Sequence, residues 1–331
     1  NILHGKSIGV ITDIMNVQYK VRDFKASPLV IGTRGSALAI AQAKETRRRL
    51  MIAHNLFEEA FEIRIIQTKG DRIQDRALSE IGGKGLFTQE IEDLLLIGDI
   101  DIAVHSMKDV PGELPEGLAI TSIVERASPQ DAFVSNRFES LSDLPKGSRI
   151  GSSSLRRVRQ LDLAYPGLEF IELRGNVDTR LRKLDEGEYE AVILAVAGLT
   201  RLGLSNRVSE EIATDICIPA AGQGAVGIES RSNDPSVTGL VESINHPLTQ
   251  ICVTAERKVT QLLGATCNLP VAVHAEPKAG EFLLNSFISN LEGNVIIREQ
   301  VTGSIDDSAL LAEKLGNTLL ARGAVDLMTE H

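Results

Sequence analysis

Ten residues, Ile102 to Pro111 (IAVHSMKDVP), constrain the fold more than any other stretch of the chain. An apolar run of Ile102, Ala103 and Val104 passes directly into His105, Ser106, Lys108 and Asp109, and Pro111 ends the element. A run this short suits a buried strand. A buried strand that finishes in charged side chains sets them at the carboxyl edge of a sheet, where α/β proteins bind ligands. Asp109 is the candidate for chemistry, because a carboxylate fixed beside Lys108 can face a cationic species. Taken alone, the stretch also fits a turn in which Asp109 caps a backbone amide and Lys108 is solvated.

The chain around it alternates strands with helices, which implies mainly parallel sheets. Residues 1–28 contain no convincing element and read as an extension. From Pro28, PLVIGTRGSALAIAQAKETRRRL gives a strand, a Gly-Ser turn and a helix capped by Ser36. Phe61 to Thr68 is the next strand, followed by a Gly-rich loop (Lys69 to Gly85) and a helix in LFTQEIEDLLLIGD. Near Glu125–Gln130 the chain leaves this lobe and starts another. There DAFVS, SRIGSSSLRRVRQLDLAY, LEFIELRGNVDTRLRKLDEG and YEAVILAVAGLTRLG repeat the strand–helix order, with AVILAVAGLT read as one strand ending at Arg201. IGTRGSALA (31–39) and IGSSSLRRV (150–158) match each other. Each places hydroxylic residues between a strand and a helix N-terminus, a seat for an anion. Two such turns in two similar lobes suggest a ligand cleft between them.

Gly222 to Gly227 formally matches GxGxxG, but it leads into apolar AVGIES rather than opening a helix, so no dinucleotide site follows. These glycines let the chain cross back between lobes. Pro247 to Leu263, the short strands from Pro270 and a closing helix, Ser308 to Met328, form a small α+β unit. The fold class is therefore α/β, two lobes plus that unit: 1–28 extension, 29–126 with 222–243, 127–221, and 244–331.

A net charge of -10 argues against nucleic acid as the partner. The arginines are nevertheless clustered: Arg156, Arg157, Arg159, Arg174, Arg180, Arg182 and Arg201 share one segment. Arg156 and Arg157 open a helix, where positive charge opposes the dipole, and Arg174 and Arg201 read as strand-end residues. Arg34, beside Ser36, fits a bidentate grip on a carboxylate or a plain surface site. Arg159 and Arg182 fit solvated helix faces. Converging guanidinium groups repel, so the ligand should carry several carboxylates or phosphates. Lys84 lies in GGKG, which lacks the Ser or Thr of a P-loop. Cys217, Cys252 and Cys267 are too few and too odd for a disulfide framework and point to a reducing, cytoplasmic compartment. No spacing suits a metal, no run is long enough to span a membrane, and Cys267 (LLGATCNLP) is by spacing alone an ordinary buried cysteine.

IGTRGSALA, GGKGLF, DIAVHSMKDVP, GSSSLRR, LRGNVDTRL, LAVAGLTRLG and PAAGQGAVGIE, in this order, resemble the porphobilinogen deaminase (hydroxymethylbilane synthase) family from about Leu29 onward. The resemblance implies two periplasmic-binding-protein-like lobes and a third domain carrying a cofactor cysteine. It also implies a cytoplasmic monomer without nucleic-acid or membrane partners. Such an enzyme joins four porphobilinogen units head to tail, with loss of ammonia, into hydroxymethylbilane for tetrapyrrole (heme) synthesis. Its primer is a covalent dipyrromethane, here on Cys267. By the same resemblance Ser106, Lys108, Ser152, Ser154, Arg156 and Arg157 hold that cofactor. Arg34, Ser36, Arg174, Arg180 and Arg201 receive substrate, Asp109 faces the pyrrolic azafulvenium cation, and Asp71, Lys84 and Phe87 belong to a mobile loop. Ala265-Thr266, where the family commonly has Gly-Gly, and Glu80, where it often has a base, depart from the pattern. A non-catalytic two-lobed binder of a small polycarboxylate is the alternative.

Overall fold

The computed structural model describes residues 24, 26–72, 85–265 and 269–329. The first sheet contains β1 (Leu29–Arg34), β2 (Phe61–Ile66), β3 (Ile102–Ser106) and β4 (Leu118–Ile123). The second contains β5 (Asp131–Val134), β6 (Arg149–Gly151), β7 (Glu169–Ile171), β8 (Ala191–Ala195) and β9 (Glu210–Ile212), after which β10 (Val226–Arg231) returns to the first. Their orders are β2-β1-β3-β10-β4 and β7-β6-β8-β5-β9.

These two orders are one topology used twice. In each sheet the first three strands pair in parallel, and one strand runs antiparallel to both its neighbours. The reversed strand is β10 in the first sheet and β5 in the second, each the strand that has just arrived from the other lobe. β6 therefore takes the place of β1, and the two matching sequence pieces occupy equivalent strand-to-helix turns. β3, β5 and β8 are buried almost throughout, as expected of inner strands covered on both faces.

Helix α1 (Ala37–His54) starts where the Ser36 side chain accepts from the Ala39 amide and ends at left-handed Asn55. Its buried residues, Ala39, Gln42, Ala43, Thr46 and Leu50, recur at helical spacing on one face. A single turn, α2 (Lys69–Arg72), and α3 (Gln89–Ile97) flank the segment outside the described residues. The second lobe adds α4 (Leu155–Ala164), α5 (Val177–Asp185) and α6 (Val196–Arg201), and α7 (Pro235–Glu242) follows β10.

Arg201 is not a strand-end residue. β8 stops at Ala195, level with the first residue of its four-residue partner β5, and the remaining apolar residues turn into α6, placing Arg201 in a last helical turn. A fully buried run has no periodicity by which sequence could tell strand from helix.

The third unit packs α8 (Pro247–Leu262) and α9 (Ser308–Ala321) on an antiparallel sheet of β11 (Val271–Lys278), β12 (Glu281–Ser289) and β13 (Ile296–Gly303). The closing helix is not continuous to Met328. Gly323, at φ 81, breaks it, and α10 (Ala324–Thr329) resumes beyond. Among the described residues no helix is long and apolar enough to cross a membrane.

The two crossings between lobes touch. Ala127 N donates to Gly224 O at 3.2 Å, and Gly224 has φ 85 with room for no side chain: a Cβ there would lie 2.5 Å from Ala127 O. Gly187 is equally left-handed (φ 78), but open space surrounds it. Gly224→Ala should therefore cost roughly 2–4 kcal/mol, strain plus overpacking, against about 1 kcal/mol for Gly187→Ala. Urea unfolding of both variants checks this; equal losses would mean that the crossings are not close-packed.

Candidate active site

A cleft of about 1760 Å³ lies between the lobes. From the first lobe Arg34, Ser36, Asp71, Phe87, Lys108 and Asp109 line it; from the second, Ser152, Ser154, Arg156, Arg157, Arg174 and Arg180; from the third unit, Gly264 and Ala265. Residues from Arg34 to Ala265, 231 positions apart in sequence, are thus brought to one cavity. Asp109 lies just past the carboxyl end of β3, in a short turn of helix (Met107–Asp109). Ser106 sits deeper, accepting from Gln42 Nε2 at 2.8 Å, in a small pocket of about 50 Å³ that Arg34, Ser36, Phe87, His105 and Asp109 share.

The anion for Arg156 and Arg157 turns out to be a carboxylate of the chain itself. Arg156 Nη2 lies 2.8 Å from Asp131 Oδ2, and Arg157 Nη2 and Nε each lie 2.8 Å from Oδ1. Arg156 also donates to Ile218 O at 2.7 Å, and Arg157 to Ile193 O at 3.1 Å. Repulsion between these two arginines therefore needs no ligand, contrary to the sequence argument. Still, one carboxylate answers two buried cations, and the excess positive charge is felt nearby. Burial, reinforced by Arg157, lowers Lys108 to about 8. Burial, with Arg157 and Arg174 beside it, lowers Arg180 to about 10. Burial alone would raise Asp131; Arg156 and Arg157 instead hold it far below the carboxylate range.

Arg34 likewise grips a carboxylate of the chain. Its Nε and Nη2 donate to Asp71 Oδ1 at 3.1 and 2.5 Å, and Phe87 lies under the guanidinium, 4.1 Å from ring centroid to Cζ. Thr68 Oγ1 donates to Asp71 as well, and Gly70 makes the fit possible, since a Cβ there would meet the Phe87 ring at 2.2 Å. Burial pushes Asp71 up, but Arg34 outweighs it and lowers the carboxyl. Arg174 pairs with Glu172 at 2.5 Å, and Arg180 Nε donates to Gly175 O at 2.7 Å. Ser154 ends the second-lobe turn as the residue before α4, and its amide donates to Ser152 Oγ at 3.3 Å.

Arg201 is not brought to the cleft wall. It pairs with Glu45 at 3.3 Å and donates to Gly224 O at 2.9 Å, joining α1 to the returning crossing. Lys84 and Cys267 lie outside the described residues, as do Glu80 and Thr266. Sequence reasoning missed Asp131, Gln42 and Gln223. An aspartate opening the apolar strand DAFV, and glutamine on the apolar face of α1, were the available signals. Gln223 Nε2, donating to Pro129 O at 2.6 Å and Asp131 Oδ1 at 2.9 Å, left none.

Residues 29–239 match the model of the porphobilinogen deaminase, dipyromethane cofactor binding domain, and residues 250–321 that of the porphobilinogen deaminase C-terminal domain. The chain belongs to the porphobilinogen deaminase family. It is 48% identical over 296 residues to the porphobilinogen deaminase of Thiobacillus denitrificans, covering 89% of this chain and 96% of that one. It is 47% identical to those of Pelobacter propionicus and Paracoccus denitrificans, each over 91% of this chain and 96% of the other. Among solved structures it is similar to an ABC transporter periplasmic substrate-binding protein from Coxiella burnetii. That likeness amounts to 14% identity and a TM-score of 0.42, over 67% of this chain and 93% of that one, and no function follows from it. Porphobilinogen deaminases are transferases, so the cleft is that of an enzyme.

Two measurements test the electrostatics of this deaminase. Asp131→Asn leaves two buried guanidinium groups without their counter-ion and should cost about 3–5 kcal/mol in chemical unfolding; a loss under about 1 kcal/mol would mean that the pairs are solvated. Lys108, lowered from 10.5 to about 8, opposes folding in full below about pH 8. That opposition fades as pH rises from there toward 10.5, because the unfolded chain then binds the extra proton. Stability should gain from this residue over that interval, and Lys108→Met should flatten the slope.

Proposed function

We propose that the cations of the second-lobe turn hold the carboxylates of cofactor and substrate while Asp109, on the first lobe, serves the deaminase reaction itself. The observation that carries this reading is that Lys108, Arg156, Arg157, Arg174 and Arg180 line one cleft with Asp109. Arg156 and Arg157 share the one buried carboxylate of Asp131, and Lys108 and Arg180 stand at the same cleft wall, a set of cations that a polycarboxylate suits. A dipyrromethane group with its acetate and propionate arms fits that requirement, and 1760 Å³ accommodates it with further pyrroles. When bound, the group supplies the pyrrole end to which porphobilinogen is joined.

In this reading Lys108, Arg156, Arg157, Ser152 and Ser154 hold the cofactor carboxylates, and Ser106 orients the floor beneath Asp109. Arg174, Arg180 and Ser36 receive the incoming substrate. Arg34 exchanges Asp71 for a substrate carboxylate, with Phe87 as the apolar side of that seat and Lys84 on the adjoining loop. Arg201 is reassigned from substrate to the crossing between lobes. Asp109, lining both the cleft and the small pocket beside it, balances the positive charge that develops on the substrate pyrrole as ammonia leaves.

Cys267 is the attachment residue of this proposal. Supporting it, the cysteines among the described residues are poorly placed for alkylation. Burial, then Asp131, pushes the Cys217 thiol up to about 12, and burial, then Glu256, pushes Cys252 to about 11. The domain division of 29–126 with 222–243, 127–221 and 244–331, and a cytoplasmic monomer with neither nucleic-acid nor membrane partners, belong to the same proposal.

Intact-mass measurement tests it. The purified protein should exceed its polypeptide mass by two linked pyrrole units, and Cys267→Ala should lose them; a bare mass that stays bare after incubation with porphobilinogen would overturn the reading. Asp109→Asn should keep that added mass while turnover falls about 10²- to 10³-fold, and near-normal turnover would remove Asp109 from its role.

A further inference from the structure

Behind Asp109 lies a buried trio of titratable groups that nothing above employs. His105, on β3, has its side chain 4% exposed, and its Nε2 lies 2.8 Å from Glu229 Oε2 on β10. The Glu229 side chain is fully buried, and its second oxygen, Oε1, has no hydrogen-bond partner. Glu92, on α3, is also buried, and its Oε1 too has no partner. A buried carboxylate oxygen without a donor is costly when ionised. Glu92 responds accordingly: burial first, then Glu229, raises it against the opposing pull of Thr88 and His105.

The trio is not sealed from the chemistry. His105 lines the 50 Å³ pocket together with Asp109, Ser106, Arg34 and Gln42. That volume exceeds the roughly 10–15 Å³ a water molecule requires, and the walls supply its partners. The charged or titratable groups facing His105 are Arg34 and Asp109 through the pocket, Glu229 from β10 and Glu92 from α3; Asp93 lies behind Glu92.

Each joining step has a proton to place. The carbon–nitrogen bond of the substrate aminomethyl group breaks, and nitrogen leaves with the electron pair as ammonia. A carbon–carbon bond forms to the pyrrole carbon of the growing chain, and that carbon gives up its proton. One carboxylate at Asp109 cannot both balance the developing cation and retain this proton. We propose that His105, oriented by Glu229 and backed by Glu92, is the proton-holding group behind Asp109. It accepts through the small pocket the proton that Asp109 takes from the pyrrole, then returns it for the departing ammonia, so that each step releases ammonium. His105 acts through Asp109 and is a positioning residue, and the inference rests on Asp109 standing at the reacting centre.

His105→Gln keeps an amide donor toward Glu229 but carries no proton. With the intact holoenzyme, its kcat should fall at least tenfold with KM within about twofold. The pH profile of kcat should lose its dependence on this group, while thermal unfolding and the added cofactor mass stay at wild-type values. An unchanged kcat and profile would overturn the proposal. So would a loss of stability and cofactor that accounts for the lost rate while the profile keeps its shape. A second readout needs no turnover. In cofactor-free protein the ¹⁵N signals of the His105 ring should change in Glu229→Gln, which alters its 2.8 Å partner, and in Asp109→Asn. A ring indifferent to Asp109→Asn overturns the coupling, even if His105→Gln fails to fold. Normal turnover in Asp109→Asn would instead sink the active-site reading itself, and the two failures are thus distinguishable.

Discussion

One carboxylate holds the second lobe in register with the cleft. Asp131 is the first residue of β5, the strand that reverses direction because it has just crossed from the other lobe. From that position it receives Arg156 and Arg157 of α4, the Cys217 thiol at 3.3 Å, and Gln223 of the returning crossing. Outgoing crossing, returning crossing and the helix N-terminus that faces the cavity are thus fixed to one point. Charge pairs taken fully out of water gain little net stability over apolar packing. What this arrangement provides is placement, together with a positive charge that Asp131 leaves uncancelled.

That residue of charge explains why the cleft suits a polycarboxylate better than a neutral ligand. Arg156 and Arg157 are spent on Asp131 and on carbonyls, yet Lys108 and Arg180, which border the cavity, are lowered by burial first and then by Arg157. Bound carboxylates would relieve that crowding, so binding is favoured by repulsion already built into the fold as well as by new contacts. Across the cavity Arg34 is in the opposite situation, satisfied by Asp71 and stacked on Phe87. A ligand carboxylate gains there only the difference between itself and Asp71. In the proposed reading the second-lobe turn is the stronger anchor, for the group that stays bound, and the Arg34 seat is the exchangeable one, for the substrate.

Much of this was legible in the chain. Ser36 predicts the start of α1, the alternation of apolar runs with helical stripes predicts two α/β lobes, and IGTRGSALA and IGSSSLRRV mark topologically equivalent turns. Illegible features share a physical cause: they depend on partners distant in sequence. Arg201 looked like a strand-end cation because a buried run does not announce where it turns helical, and its partner Glu45 is 156 residues away. Arg156 and Arg157 looked like ligand-binding cations because nothing local identifies Asp131 as their counter-ion. Lys84 was legible as a candidate from its place in the GGKG loop, whereas Cys267 became one only through family resemblance, since neither spacing nor composition gives a lone thiol a role.

The third unit is coupled to both crossings by a single carboxylate as well. Glu256, on α8, accepts from Arg126 of the outgoing crossing at 2.7 Å, from the Gly222 amide of the returning one at 2.6 Å, and from Ala275 N of β11 at 2.8 Å. Burial would raise this carboxyl, yet Arg126, then His274, keeps it at about 2, so it stays ionised wherever the protein is folded. His274, whose Nδ1 lies 3.3 Å away, is itself held above its usual range: burial lowers it, but Glu256 and Glu276 prevail. A rotation of one lobe against the other must pass through residues 124–130 and 218–225, the segments that Arg126 and Gly222 occupy. It must therefore carry the third unit along or break bonds to a buried charge. The second course is costly, so these contacts tie the third unit to both crossings.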